Sequence, residues 1–279
     1  MKLKDKVEYL WHKYNFTPKR ELGQNFLIDP HIIERIIETL KLNKEDTILE
    51  IGAGTGVLTE KLVEKGGEVI AVEVDKNLCK MLKKELEEHL NLKIICEDIT
   101  QISFDEEFKQ AKSVKLAGNL PYYIASSILL DMIKKDWIKF MVVMVQREVA
   151  ERLLAKPGNK KRGKLTVLMD YYGDREKIID VPPQAFIPPP NVGATLLKIE
   201  KRERYKAKDE NNFFSVVKAA FSSRRKMLAN SLSKGLGINK DLIKEKLEST
   251  GIDWEERAEE LTEEEFISIS NSLGVKNAH

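Results

Sequence analysis

The chain is poor in the residues that build metal and disulfide scaffolds, with two cysteines and four histidines in 279 residues. Cys79 and Cys96 form no Cys-x-x-Cys pair and stand beside no histidine. That spacing predicts reduced thiols and no metal site, and it excludes a zinc module or a disulfide-stapled fold. Proline is scarce outside one stretch, Pro182 to Pro190, so rigid extended linkers are excluded elsewhere. Apolar runs are short, and none has the roughly 20 residues that a bilayer-spanning helix needs. The first residues, Met1-Lys2-Leu3-Lys4-Asp5-Lys6, carry no apolar stretch of signal-peptide type, so a soluble, cytoplasmic protein is expected. Neither sign of charge dominates, since 47 Lys and Arg face 45 Asp and Glu for a net charge of +2. Bulk charge therefore says little about partners, and its distribution says more. Lys201, Arg202, Arg204, Lys206 and Lys208 form one basic group and Arg224-Arg225-Lys226 another. Lys160, Lys161, Arg162 and Lys164 form a basic loop, while the stretch from Glu255 to Glu265 is acidic.

What is present is an alternation of strand and helix patterns. A chain of this length has room for one large α/β core and a smaller domain. Residues 1–30 read as a polar N-terminal segment. A helix then starts near Pro30, with Ile32, Ile33, Ile36, Ile37 and Leu40 on its buried face. Short apolar strands and amphipathic helices alternate to about residue 150, the pattern of a parallel, doubly wound sheet. The helix after Pro121 is expected over residues 126–134, and Phe140 to Val145 as a fully buried strand. Leu165 to Met169 and Ala194 to Ile199 read as late strands of the same sheet. Between them, Pro182 to Pro190 can be neither helix nor central strand. Beyond about residue 205 the pattern is wholly helical. The expected domains are therefore 1–205, an α/β unit, and 206–279, a small all-helical one.

Three successive strand ends carry candidate binding groups. Thr47 to Ile51 reads as a buried strand, followed by Gly52-Ala53-Gly54-Thr55-Gly56 and the helix pattern from Val57. Such a glycine-rich turn lets a ligand approach the backbone where a Cβ would block it. A dinucleotide fingerprint would place glycine at position 57, where this chain has valine. A turn preceded by Glu50 and lacking that glycine suits S-adenosylmethionine, which has no phosphate to cradle. The next strand, Glu68 to Val72, runs into Glu73, and carboxylates there commonly bind the ribose hydroxyls of a nucleoside. The third, Leu92 to Cys96, runs into Glu97-Asp98, where an oxygen can accept from an adenine amino group. Each acid alone is more often a solvated strand end. Their joint occurrence is what carries the reading.

The fourth strand pattern ends in Asn119-Leu120-Pro121-Tyr122. An exocyclic amine on a nucleobase is a poor nucleophile because its lone pair is delocalised into the ring. A side-chain oxygen and the following backbone carbonyl can accept its two N–H groups and free the lone pair for attack. Proline fixes the turn, and the aromatic in fourth place can stack on the base. Asn-x-Pro is also ordinary turn chemistry.

Together these segments resemble the small-subunit ribosomal RNA adenine N6,N6-dimethyltransferases. The resemblance rests on Leu22-Gly23-Gln24-Asn25-Phe26-Leu27, Glu50 to Gly56, Asn119 to Tyr122, Gln146 to Arg152, Phe186-Ile187-Pro188-Pro189-Pro190-Asn191-Val192 and Phe221-Ser222-Ser223-Arg224-Arg225-Lys226-Met227-Leu228. Two departures stand out: Gly193-Ala194 where the family usually has Asp-Ser, and Arg162 where an aromatic is usual. The resemblance implies a Rossmann-like class I methyltransferase sheet with a helical C-terminal domain that binds RNA. It implies that Gln24, Asn25 and Leu27 close over S-adenosylmethionine, with Gly52 and Gly54 at its methionine end, Glu73 at the ribose and Asp98 at the adenine. Asn119 and the Leu120 carbonyl would hold the target amine, with Pro121 shaping the turn, Tyr122 on the base and Phe186 packing against it. By burial statistics alone, Phe186 reads as a hydrophobic plug. Arg224, Arg225, Lys226, Lys160, Lys161 and Lys164 are the expected RNA contacts of a monomeric enzyme acting on the small ribosomal subunit and its 16S RNA. A large-subunit methyltransferase of the macrolide-resistance type, a non-catalytic ribosome-assembly factor and a small-molecule methyltransferase are the competing readings. The Phe221 to Lys226 and Phe186 to Pro190 segments favour the first reading over the large-subunit one, and a small-molecule enzyme would not need the basic helical tail.

Overall fold

The computed structural model describes residues 2–106, 108, 111, 113–121, 124–202, 206–223 and 225–274. Tyr122 and Arg224 lie outside the described residues. Contacts divide the chain into two units: residues 1–150 with 175–201, and residues 151–174 with 202–279.

The first unit is built on a seven-stranded sheet. Its strands are β2 (Thr47–Ile51), β3 (Glu68–Val72), β4 (Leu92–Ile95), β5 (Val114–Asn119), β6 (Ile138–Gln146), β7 (Gly173–Val181) and β9 (Ala194–Lys201). A separate short ribbon pairs β1 (Phe26–Leu27) with β8 (Phe186–Ile187). The large sheet has the order β4-β3-β2-β5-β6-β9-β7. Strands β2 to β6 pair in parallel, and β9 runs antiparallel to β6. The chain winds outward from β2 through β3 to β4, then returns to β5 on the other side of β2. The crevice at that reversal, outside the carboxyl ends of β2 and β5, is where open α/β sheets bind ligands.

The strand sequences explain why the sheet is central. Ile48, Leu49, Leu116 and Met141 to Val145 are fully buried, as expected of parallel strands with helices on both faces. Helix α2 (Pro30–Leu40) starts at Asp29, whose side chain accepts the His31 N–H, with Pro30 in the first turn. It buries Ile32, Ile33, Ile36 and Leu40, with Ile37 partly covered. Helix α1 (Leu3–Tyr14) brings Trp11 to the edge of Phe26, with ring centroids 5.6 Å apart. Helices α3 (Val57–Lys65), α4 (Lys76–Glu85), α5 (Ala125–Lys134) and α6 (Arg147–Leu153) complete the α/β alternation. Cys79 on α4 and Cys96 after β4 are joined, with Cα atoms 5.9 Å apart, where sequence spacing predicted reduced thiols. The β3–β4 pairing carries them together, which linear spacing cannot reveal.

The second unit is helical: α7 (Lys164–Tyr172), α8 (Glu210–Ala220), α9 (Leu228–Leu236), α10 (Lys240–Ser249) and α11 (Glu263–Leu273). Here the structure corrects the sequence. Residues 165–169 are helix, not strand, because α7 buries Thr166 to Met169 together with Tyr171 and Tyr172. A short apolar run that is buried nearly all round has no periodicity to separate helix from strand. Tyr171 stacks on Phe213 of α8 with centroids 4.3 Å apart, which draws residues 151–174 into the helical unit.

Arg162 locks this arrangement. It is 2% exposed, and donates to the Ala155 carbonyl at 3.1 Å, the Leu261 carbonyl at 3.1 Å and Asp170 at 2.7 Å. The arginine that departs from the family pattern is thus an internal clamp between distant segments. Arg162→Ala should cost about 3–5 kcal/mol of stability, the usual effect of breaking a buried charge pair. Urea unfolding of wild type and variant measures it, and equal midpoints would contradict the clamp.

Candidate active site

The sheet reversal places the β2–α3 glycine turn against the end of β5. Gly52 has φ +77°, so a side chain there would be strained, and its Cβ would sit 3.4 Å from the Asn119 carbonyl oxygen, in ordinary contact. Gly54, at φ +58°, donates its N–H to one oxygen of Glu73 at 2.8 Å, while the other Glu73 oxygen accepts from Asp75 N at 2.9 Å. Glu73 therefore braces the turn from the adjacent strand end. Burial pushes its carboxyl above the ordinary range. Asp98 caps a short helical turn, accepting from the backbone and hydroxyl of Thr100 through one oxygen.

The N-terminal segment covers this crevice. Gln24 donates to Asp75 at 3.0 Å, and Lys19 pairs with the same carboxylate at 2.9 Å. Phe26 and Leu27 pair with Ile187 and Phe186 in the antiparallel ribbon, and Ile28 N donates to the Ala185 carbonyl at 2.8 Å. The Asn25 carbonyl accepts from Asn119 Nδ2 at 3.0 Å. That bond fixes the Asn119 carboxamide, and its oxygen is left buried without a partner. A buried acceptor without a donor is costly, and here it belongs to the residue assigned to the target amine. The Leu120 N–H is held by the Met144 carbonyl at 3.1 Å, and the Pro121 carbonyl accepts from Ile124 N at 3.2 Å, which sets the turn into α5.

One open cavity, of about 1060 Å³ with the solvent at its mouth, unites these groups. Its wall includes Gln24, Asn25, Leu27, Gly52, Gly54, Glu73, Asp98, Asn119, Leu120 and Pro121, all singled out from sequence. The wall also includes Val74, Leu78 and Ile99, apolar positions beside the acids that no motif marks. Glu50 is there too, 1% exposed, accepting the Thr59 hydroxyl at 2.6 Å. Among the described lining residues the charged ones are Glu50, Glu73, Glu97 and Asp98, with no Lys, Arg or His. Such a wall disfavours a pyrophosphate and suits a ligand carrying positive charge.

Phe186 is not on this wall. It is 2% exposed and packs in the core with Phe26, Leu27 and Leu196, the position of a hydrophobic plug. The departure at Gly193-Ala194 lies at the start of β9, where Ala194 pairs with Gln146 and the Gly193 carbonyl accepts from Arg147 N at 3.1 Å. Neither residue lines the cavity. Lys160, Lys161, Lys164, Arg225 and Lys226 are exposed on the helical unit, and Lys161 pairs with Glu151.

A sequence profile of the family described as ribosomal RNA adenine dimethylase matches residues 15–274. The chain belongs to this family. It is 42% identical over 265 residues to ribosomal RNA small subunit methyltransferase A of Clostridium botulinum (strain Kyoto / Type A2), covering 94% of this chain and 96% of the relative. A protein of the same name from Halothermothrix orenii is 40% identical over 273 residues, covering 95% of this chain and 91% of the relative. Among solved structures, a dimethyladenosine transferase from Plasmodium falciparum superposes with a TM-score of 0.78 at 27% identity, over 88% of this chain and 95% of that one. The 23S rRNA methyltransferase ErmE shares the fold, with a TM-score of 0.71 at 23% identity, over 90% of this chain and all of that one. The sheet is the Rossmann-like class I methyltransferase sheet, and the dimethylase family uses S-adenosylmethionine as methyl donor.

Removing the Glu73 carboxylate should loosen the turn and cost S-adenosylmethionine about 1.5–3 kcal/mol of affinity, the worth of a charge-assisted hydrogen bond. Calorimetric titration of Glu73→Ala checks this, and wild-type affinity would remove Glu73 from the cofactor site.

Proposed function

We propose that the chain transfers methyl groups from S-adenosylmethionine to the N6 amines of two adjacent adenosines in a loop near the 3' end of small-subunit ribosomal RNA, giving N6,N6-dimethyladenosine. The observation that carries this reading is the buried, partnerless oxygen of Asn119 in a cavity walled by carboxylates. S-adenosylmethionine fits that wall: its ammonium and sulfonium are cationic, and it has no phosphate for the absent basic residues to hold.

The chain's own residues supply position and polarisation. The Asn119 oxygen and the Leu120 carbonyl accept the two N–H groups of the adenine amine, so that its lone pair turns toward the electrophile. Bound S-adenosylmethionine supplies the activated methyl and its sulfide leaving group. The methylated amine is cationic and loses its proton readily, so the chemistry demands neither a metal nor a strong base. Catalysis is then alignment and hydrogen-bond polarisation. A second methylation requires the monomethyl amine to rotate and rebind with one N–H, so the turn must accommodate a methyl beside Asn119 or Leu120.

An adenine in a duplex cannot reach such a turn, which favours a loop nucleotide. Tyr122 is assigned to stack on the extruded base. A pocket for one base cannot select one site on a ribosome, so recognition needs a wider surface that reads RNA shape and phosphates. Arg224, Arg225, Lys226, Lys160, Lys161 and Lys164 are assigned to that surface. The enzyme acts as a cytoplasmic monomer on the small subunit and doubles as a factor in its assembly. The large-subunit alternative is not favoured, since the relatives that cover 94% and 95% of the chain are named for the small subunit.

The test is methylation of purified small subunits from a strain lacking the modification, followed by nucleoside analysis. Two dimethyladenosines per subunit are expected, both from the 3' loop. Monomethyladenosine alone after exhaustive reaction, or label in large subunits instead, would contradict the assignment.

A further inference from the structure

We infer that Glu50 is a specificity-determining residue that makes the cavity favour the charged methyl donor over its uncharged spent form, S-adenosylhomocysteine. The inference rests on the S-adenosylmethionine reading given above. Methyl transfer forms a bond from the amine nitrogen to the methyl carbon and breaks the bond from that carbon to sulfur. The electron pair stays on sulfur, and the amine proton leaves for solvent. One positive charge therefore disappears from the bound cofactor at each turnover. The two forms share the same adenosine and the same amino-acid end.

Glu50 is placed to register that loss. It is the penultimate residue of β2, two before Gly52, and lines the same cavity as Asn119. In the sheet it is flanked by Ala71 on β3 and Ala117 on β5, neither of which offers a charge or a hydrogen bond from its side chain. From α3, the Thr59 hydroxyl donates to one of its oxygens at 2.6 Å, both groups being buried. Glu60 of the same helix is turned to Lys6 instead, at 2.6 Å. From β3, the group bearing on it is Glu73, of like charge. From β5, Asn119 is neutral, and Lys115 is occupied with Asp46 at 2.8 Å. Glu97 and Asp98 complete the charged wall. The buried carboxyl thus has one neutral donor and no cation among the described lining residues.

Burial pushes the Glu50 carboxyl up to about 7, with the Thr59 bond opposing and the Glu73 charge adding to the rise. Near neutral pH it therefore exchanges between its protonated and charged forms before a ligand enters. A cation in the cavity favours the carboxylate, so binding of the donor expels that proton to solvent. The spent cofactor, lacking the sulfonium, expels less of it. Affinity for the donor is then full above pH 7 and falls as pH drops below it, while affinity for the spent form falls less.

Isothermal titration of the full-length protein in two buffers of different ionisation heat counts the protons released. The probes are S-adenosylmethionine and S-adenosylhomocysteine, across a pH series spanning about 7. Wild type should release a fraction of a proton with the donor near neutral pH and less with the spent form, and its preference for the donor should shrink toward acid. Glu50→Gln, which keeps an oxygen for Thr59, should lose that release and show a preference independent of pH. Thr59→Val, which removes the opposing hydrogen bond, should move the proton-linked window to higher pH. Donor binding to wild type without proton release, at a preference equal across the series, would overturn the inference. Binding of neither compound would instead overturn the S-adenosylmethionine reading itself, and the inference with it.

Discussion

The parallel pairing of β2 with β5 sets Thr47 opposite Val114 and Glu50 opposite Ala117, and the meeting of the glycine turn with Asn119 follows from that register. It brings the turn after β2 against the end of β5, where a Cβ on Gly52 would just touch the Asn119 carbonyl oxygen and the φ of +77° disfavours a side chain. A slip of one residue would turn each strand's side chains to the opposite face. Glu50 would leave the cavity and Asn119 would lose the Asn25 carbonyl. The buried strand residues on β2, β5 and β6 are what fix the register, because both faces of a parallel sheet are covered. The core is therefore part of the catalytic apparatus at one remove.

The crevice is electrostatically one-sided. Four carboxylates and no described basic residue line it, while basic residues are exposed on the helical unit. Cofactor and RNA make opposite demands, since one brings positive charge to the pocket and the other is a polyanion. The helical unit carries exposed acids as well, among them Asp253, Glu255 and Glu260, so the one-sidedness belongs to the crevice. A lysine in the pocket would compete with a cationic ligand for the carboxylates. A net charge of +2 conceals this arrangement completely.

The sequence made much of this legible because strand ends carry their chemistry in contiguous residues. Gly52, Gly54, Glu73, Asp98 and Asn119 could each be placed at the end of an apolar run, and the sheet order brings them to one cavity. What could not be read were relations between distant segments. Asn25 acts on Asn119 through its backbone carbonyl, for which its side chain gives no signal. Val74, Leu78 and Ile99 look like any other apolar positions. Residues 165–169 read as a strand because a helix buried on all sides loses its period. Arg162 looked like part of a basic loop, and only its three acceptors, one of them the far-off Leu261 carbonyl, show it to be internal. Glu50 was visible before the glycine turn, but its burial beside Thr59 was not.

The central claim is that the Asn119 oxygen, fixed by the Asn25 carbonyl and otherwise unpartnered, polarises the adenine amine. Single-turnover methyl transfer to small subunits by Asn119→Ala, at saturating S-adenosylmethionine so that binding does not limit, tests it directly. The account predicts a rate lower by about 10²–10³, the loss typical of one preorganised polar group at a reacting centre. A rate equal to that of wild type would contradict it.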